Sequence, residues 1–441
     1  MLLGLDIGTT STKACAFDAD GKLCHEVLRP YELEQAAAGA ATQDADAVVV
    51  AATEALAELL KKVGDRAASL GISTAMHGLI ALDDAGGCLT PLITWADTRA
   101  ATAIADWPEA DRLRLHAATG TPVHAMSPLA KIAWLRAEQP GVYRRAARYV
   151  GIKEYFLLQT AADGPAARPP VDYQLASATG LFNIKEKIWH APALERVGIS
   201  EDQLPRPMDP RYRIGWSDDF LARTGLPADL PTAIGGSDGC LANLGSGLSG
   251  PGAAAITIGT SGAVRMTQRG PATDPTGALF TYCLLDDTYV TGGATNNGGK
   301  VLEWLADLLQ EKPDVGRLIE SAAKVPAGAE GLGFLPYLNG ERAPIYDASA
   351  TAAFTGLRGS HRREHLVRAA LEGVTGNLVT ILRLLEDHIQ PVDHLLASGG
   401  FTRSPFWVKL LEDMSGREVR IADTPQASAY GAALVGAMVR E

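Results

Sequence analysis

A chain of 441 residues has enough material for two domains, each with a core of its own. Its 51 acidic residues against 40 basic ones give a formal net charge of -11 and no dense basic cluster, which argues against a nucleic-acid-binding surface. No stretch approaches the ~20 consecutive apolar residues of a membrane-crossing helix, so the composition reads as a soluble globular protein.

The opening "MLLGLDIG" has no basic segment followed by a long apolar one, so it does not read as a secretory signal. "LLGLDI" is predicted as a strand, and "TKACAFDADGKLCHEVL" as two more around a turn at Asp18–Gly21. A helix is expected over 44–63, with Asp44 as its N-cap, and then a buried strand over 67–74. Strands followed by a helix and a further strand make an α/β pattern. Residues 100–230 read as mostly helical, with a Gly/Pro-rich loop at 160–172. The basic patches "YRRAARY" (143–149) and "HRREH" (361–365) read as solvated helix faces. The five cysteines are far apart and lack metal-ligand spacing, so they read as reduced thiols of a cytoplasmic protein.

Near 231–250 glycines crowd around one acid, and the domain boundary is placed there, giving lobes 1–244 and 245–441. Beyond it the opening pattern returns. "AAAITIGTSGAVRM" (253–266) is again strand, Gly-Thr turn, strand, and "IGTS" at 258–261 nearly copies "IGTT" at 7–10. One hairpin repeated roughly 250 residues later is what two facing lobes would show. The last third alternates: a helix over 361–388, a strand at 393–398, a helix from Ser404, a strand at 418–422 and a helix from Gln426.

The first hairpin can carry chemistry. Gly8 lets backbone approach a ligand, successive amides form an anion nest, Thr9, Thr10, Ser11 and Thr12 add hydroxyls, and Lys13 adds charge. Asp6, at the strand end, would face a hydrated Mg²⁺. The plain alternative is a Gly-Thr turn beside an exposed lysine. The second copy, with Gly259, Thr260, Ser261 and Gly262, favours two clamps on one triphosphate. No GxxxxGK[ST] occurs, and no GxGxxG opens a helix after a strand. Asp238, in "GGSDG" at the change of lobe, suits a general base, the alternative being a local Asx turn. In "SGGFTRSPFW", Gly399 and Gly400 would let a flat base lie on the backbone, with Ser404 as N-cap and adenine contact. "TAMHGL" and "ITWADTR" bring His77, Trp95, Asp97 and Arg99 to loops that should face a substrate, although a lone His or Trp is more often structural.

With these residues in view, the chain resembles the FGGY carbohydrate kinases along its whole length. The resemblance is carried by "DIGTTSTK", "AMHG", "ITWADTRA", "VDYQLASATGLFNI", "GGSDG", "ITIGTSG", "FLPYLNGERAPIYD" and "SGGFTRSPFW". It implies two actin-like, ribonuclease-H-like lobes around a deep cleft, with ATP–Mg²⁺ mainly on the second and the sugar mainly on the first. By motif match it implies Asp238 as catalytic base and Asp6, with Asp238 through water, at Mg²⁺. It also implies Thr10 and Lys13 in the first phosphate loop, Gly259 and Thr260 in the second, and Gly399, Gly400 and Ser404 at adenosine. Met76, His77, Gly78, Trp95, Arg99 and Met126 fall in the substrate pocket. Within the family, "STAMHGLIALD", "PLITWADTRA", "TGTPVHAMSPLAKIAWL" and "GGATNNGG" read like the gluconate-kinase branch. Ala75 stands where xylulose kinases usually have glutamine, and Met76-His77 where glycerol kinases have Arg-Glu.

The expected reaction is transfer from ATP to the terminal hydroxyl of an open-chain sugar acid. A carboxylate substrate needs a cation; Arg99, Lys131 and Lys153 are the candidates, with Asn296 and Asn297 as neutral contacts. The alternatives are a kinase for xylulose or another polyol, an actin-like ATPase without a sugar, and a catalytically dead sugar sensor. The family often dimerises; a homodimer stays open, and no membrane or nucleic-acid partner is expected.

Overall fold

The computed structural model describes residues 1–164, 168–248, 250–309, 314–422, 424 and 426–439. The first sheet is built from β1 (Leu2–Ile7), β2 (Ser11–Phe17), β3 (Leu23–Pro30), β4 (Ser69–Thr74) and β5 (Thr232–Ser237), in the order β5-β4-β1-β2-β3. β1, β2 and β3 form an antiparallel meander; β4 joins β1 and β5 joins β4 in parallel. The second sheet contains β6 (Gly252–Ile258), β7 (Gly262–Arg269), β8 (Phe280–Cys283), β9 (Thr288–Thr295), β10 (Val392–Ser398) and β11 (Glu418–Ile421), in the order β8-β9-β7-β6-β10-β11. Without β8, its five strands follow the first sheet's pattern, a meander and then two parallel strands. The hairpin repeat seen in the sequence is therefore the visible part of a repeated half-fold.

Strand alternation decides which face does what. In β1, Leu3, Leu5 and Ile7 enter a core roofed by α1 (Ala45–Val63), leaving Gly4 and Asp6 on the opposite face. Asp44 caps α1 as expected, its carboxylate accepting from the amides of Asp46 and Ala47. In the second lobe, α5 (Arg363–His388) covers the matching core. The region between α1 and β5 supplies α2 (Pro128–Glu138) and several shorter helices over a third core, and α3 (Ile152–Thr160), which packs into the core of α1. The patch at 143–149 is split between a helix ending at Arg145 and a strand, Arg148–Val150, that buries Tyr149. Positions 165–167 of the expected loop lie outside the described residues.

The glycine-rich stretch near 235 is β5, a fully buried strand of the first sheet. It leads directly into α4 (Asp238–Gly245), capped by Ser237. Later, α6 (Pro405–Ser415) starts at its predicted cap Ser404. The chain then returns: α7 (Ala427–Gly436) packs on the first sheet through β1 and β4 and against α4.

Candidate active site

The two sheets face each other across a cleft with two adjoining chambers. The larger, about 450 Å³, is walled on the first-lobe side by Thr9, Met76, His77, Trp95, Met126 and Asp238. Arg265, Phe280, Tyr282, Arg342 and Tyr346 face them from the second. The smaller, about 240 Å³, holds Asp6, Lys13, Asn243 and Gln426. Arg265, Thr257, Ser398 and Ser428 line both chambers.

Asp238 reaches the cleft because of the two glycines before it. β5 slips register between Ala233 and Gly236, where Gly235 has a φ of 72°. A Cβ on Gly235 would strike the Ile72 carbonyl oxygen, and one on Gly236 would strike the Gln174 amide. So these glycines serve strand packing rather than ligand approach. Lys153 and Gln174 hold the kink: Lys153 Nζ donates to the Gly236 carbonyl at 2.8 Å, and Ser237 N donates to Gln174 Oε1 at 3.0 Å. Asp238 then begins α4, its Oδ1 accepting from Gly239 N at 2.7 Å and its carbonyl accepting from Ser428 of α7 at 3.2 Å. Burial first, and the Asp6 carboxylate second, push the Asp238 pKa up to about 6.

Asp6 is also buried and raised, although Ser73 donates to its Oδ1 at 2.6 Å. Two carboxylates, of which Asp6 raises Asp238, fit a Mg²⁺ ion held by one or two acids, waters and phosphate oxygens. Among the described residues no cluster of three or more His, Cys, Asp or Glu could hold a metal by itself.

Both hairpin tips are braced. In the first, Tyr31 OH donates to the Gly8 carbonyl at 2.5 Å, Gln43 to the Thr9 carbonyl at 2.7 Å, and Trp95 Nε1 to Thr9 Oγ1 at 2.9 Å. In the second, Gly299 N donates to the Gly259 carbonyl at 2.6 Å and Gly298 N to the Thr260 carbonyl at 3.1 Å. The amides of Gly8 and Gly259 close their own turns onto Ser11 and Ser261. Among the described residues the amides of Thr9, Thr10, Thr260 and Ser261 make no internal hydrogen bond. Amides left open in this way at a tight turn have the chemistry to receive an anion. Lys13 donates to Gln426 at 2.9 Å and so ties the first sheet to the start of α7. Gly399 and Gly400 follow Ser398, which lines both chambers, and the Ser404 hydroxyl accepts from Trp407 N at 3.3 Å.

His77 has a φ of 67° and is buried. Its Nδ1 lies 2.7 Å from the Ala178 carbonyl, an acceptor only, so the proton is on Nδ1. Nε2 is then an acceptor, 3.5 Å from the Tyr282 hydroxyl across the cleft. Burial and the Lys131 charge lower the His77 pKa to about 3, which keeps the ring neutral.

Several expected substrate contacts are engaged elsewhere. Arg99 does not line the cleft; it forks onto Asp97 and stacks on Trp134, 4.6 Å from the ring centre. Lys131 is fully buried and donates to the carbonyls of His77 and Ile93. Lys153 forms a buried ion pair with Asp172 at 2.8 Å. Gly78 sits behind the cleft wall against Leu92. Asn297 donates to Glu341, and Asn296 accepts from Arg342.

The cations lining the larger chamber are instead Arg265 and Arg342, neither of them a candidate from the sequence. Glu341 is fully buried and accepts from Thr295, from Asn297 and from the amides of Asn296 and Arg342. This anchors Arg342, whose Nε bonds Asn296 Oδ1 at 2.8 Å and Nη2 the Thr295 carbonyl at 3.1 Å. Its guanidinium lies 4.7 Å from the Trp95 ring centre. Nη1 has no hydrogen bond among the described residues. The "NGERAP" motif was the signal available for Arg342, and the arginine following "GTSGAV" for Arg265.

Comparison with known proteins agrees with this geometry. Residues 1–245 match the N-terminal domain of the FGGY family of carbohydrate kinases, and residues 254–439 its C-terminal domain. The chain is 38% identical to a gluconokinase of Bacillus subtilis (strain 168), over 99% of this chain and 86% of the relative. It superposes on the crystal structure of gluconate kinase from Lactobacillus acidophilus with a TM-score of 0.93 and 31% identity, covering 99% of this chain and 88% of that one. A ligand-bound xylulose kinase from the same organism gives the same TM-score and identity, covering 99% and 89%. Among the described residues no helix is long and apolar enough to cross a membrane.

Proposed function

The chain belongs to the FGGY family of carbohydrate kinases, and on that premise we propose that it transfers the terminal phosphoryl group of ATP to the end hydroxyl of an open-chain sugar acid, with D-gluconate as the substrate. The observation that carries the sugar acid is Arg342. It lines the larger chamber and not the smaller one, and it keeps one guanidinium nitrogen without a partner. A carboxylate matches that nitrogen, whereas a neutral ketose does not need it.

In this reading Asp238 orients the acceptor hydroxyl and takes its proton. The bond between the hydroxyl oxygen and the γ-phosphorus forms as the bond to the bridging oxygen of ADP breaks. The free amides and hydroxyls of Thr9, Thr10, Thr260 and Ser261 hold the phosphates. Bound Mg²⁺ would neutralise phosphate charge, with Asp6 and, through water, Asp238 as its protein partners. Neutral His77 offers Nε2 to a substrate hydroxyl, and Met76, Met126 and Phe280 cover carbon. Ser398, Gly399, Gly400 and Ser404 form the adenosine side.

A ketose kinase is the second reading, favoured by the equal structural likeness to a xylulose kinase. Coupled ADP-release assays with D-gluconate, other aldonates, D-xylulose and glycerol decide between them. D-gluconate should exceed D-xylulose in kcat/KM by about 10²-fold or more, because a site built around a charged group discriminates strongly. Preference for xylulose refutes the sugar-acid assignment, and slow ATP hydrolysis indifferent to every sugar refutes the kinase.

A further inference from the structure

One cation of the cleft has no partner. Arg265 lies in mid-strand in β7, beside Ala255 of β6 and Gly292 of β9. Its Nε is buried without a hydrogen bond, and it forms no ion pair among the described residues. Burial pulls its pKa down, and Asp238 is its main electrostatic support. Arginines that serve packing in this protein look different. Arg112 donates to the carbonyls of Ile104, Ala105 and Trp107, and Arg211 bonds both Asp209 and Asp286. Burying an unpaired cation disfavours folding, so such a group points to an anion that arrives later.

Its position indicates which anion. Arg265 lines both the chamber of Asp238 and the chamber of Asp6 and Lys13. Its Nη1 lies 3.1 Å from where a side chain on Gly239, next to Asp238, would begin. A phosphoryl group passing from a nucleotide tail at the hairpin tips, whose Thr9 and Ser261 line the larger chamber, to a hydroxyl at Asp238 moves along the wall that Arg265 forms. The carboxylate of an aldonate with its end hydroxyl at Asp238 lies at the opposite end of the carbon chain, away from this wall.

We propose that Arg265 is a catalytic residue that hydrogen-bonds the equatorial oxygens of the transferring phosphoryl group in the transition state. This rests on the phosphotransfer reading of the cleft. In the step itself the γ-phosphorus loses its bond to the bridging oxygen, which leaves with ADP, and gains one to the acceptor oxygen, whose proton passes to Asp238. The planar guanidinium supplies two donors to the oxygens on which charge is spread, and its Nε is already shielded from water before they arrive.

The test uses the full-length protein with Arg265→Met and Arg265→Lys. Arg265→Met should lower kcat by about 10³-fold while KM for D-gluconate stays within about threefold of the parent, and the lysine variant should fall between. Calorimetry with ADP, Mg²⁺, aluminium fluoride and D-gluconate should show the tight complex of the parent lost in the methionine variant, with binding of ADP alone kept. The melting temperature should hold or rise, because the variant removes a partly buried charge that has no ion-pair partner. A preserved kcat with a gluconate KM raised 100-fold or more overturns the proposal in favour of carboxylate binding. A melting temperature that falls together with ADP binding overturns it in favour of a structural role. If the parent phosphorylates no acceptor, the kinase reading itself fails; if parent and variant phosphorylate equally, only the role of Arg265 fails.

Discussion

Gly4 and Cys15 pair across β1 and β2, and Ala255 and Arg265 pair at the matching place in β6 and β7. Next to the turn, Asp6 faces Lys13 in the first sheet, where Thr257 faces Ala263 in the second. The strand order is shared, but the partners of the two faces are not. α7 presses so closely on the first sheet that a Cβ on Gly4 would strike the Ala429 carbonyl oxygen. At the matching place on the second sheet there is open chamber and an unpaired arginine. One lobe therefore packs a helix on this face and the other leaves it open to the cleft, with the acids Asp6 and Asp238 on the first side and Arg265 on the second.

The largest effect that sharpens this contrast is at the acid. Asp238→Ala should lower kcat by about 10³-fold or more, measured by ADP release, while calorimetry finds ATP bound nearly as before. Undiminished transfer would remove the acid side of the contrast. Next comes packing. Gly4→Ala should cost about 3 kcal/mol in urea unfolding, because the new methyl meets backbone, whereas Ala255→Gly should cost about 1 kcal/mol or less. Equal costs would mean that the two faces are packed alike. The mildest effect is on pH. Asp238 must be ionised to take a proton, so kcat/KM should fall about tenfold per unit below pH 6. The sign for stability is opposite. A carboxyl raised from 3.8 to about 6 by folding contributes stability that is complete below 3.8 and lost as the pH rises through 6. Asp238→Asn should therefore melt higher than the parent at pH 8 and little differently at pH 4.

Much of the fold was legible because its signals are local. The cap at Asp44, the cap at Ser404 and the two Gly-Thr hairpins each need only a few adjacent residues, and each is found where the sequence puts it. β5 was less legible, since glycines crowded around one acid give no strand signal until their neighbours Ile72 and Gln174 are known.

Among charged side chains the limit was sharper. Arg99, Lys131 and Lys153 had the right chemistry for a carboxylate, yet Asp97, two backbone carbonyls and Asp172 already hold them. Arg265 and Arg342 look no different in the sequence, and they are the ones left facing the cleft. The sequence by itself determined the turns, the caps, the repeated hairpin and the presence of an acid at the lobe junction, because backbone geometry responds to near neighbours. Only the tertiary structure decided which cations remain available, because pairing and desolvation depend on residues brought together from distant parts of the chain.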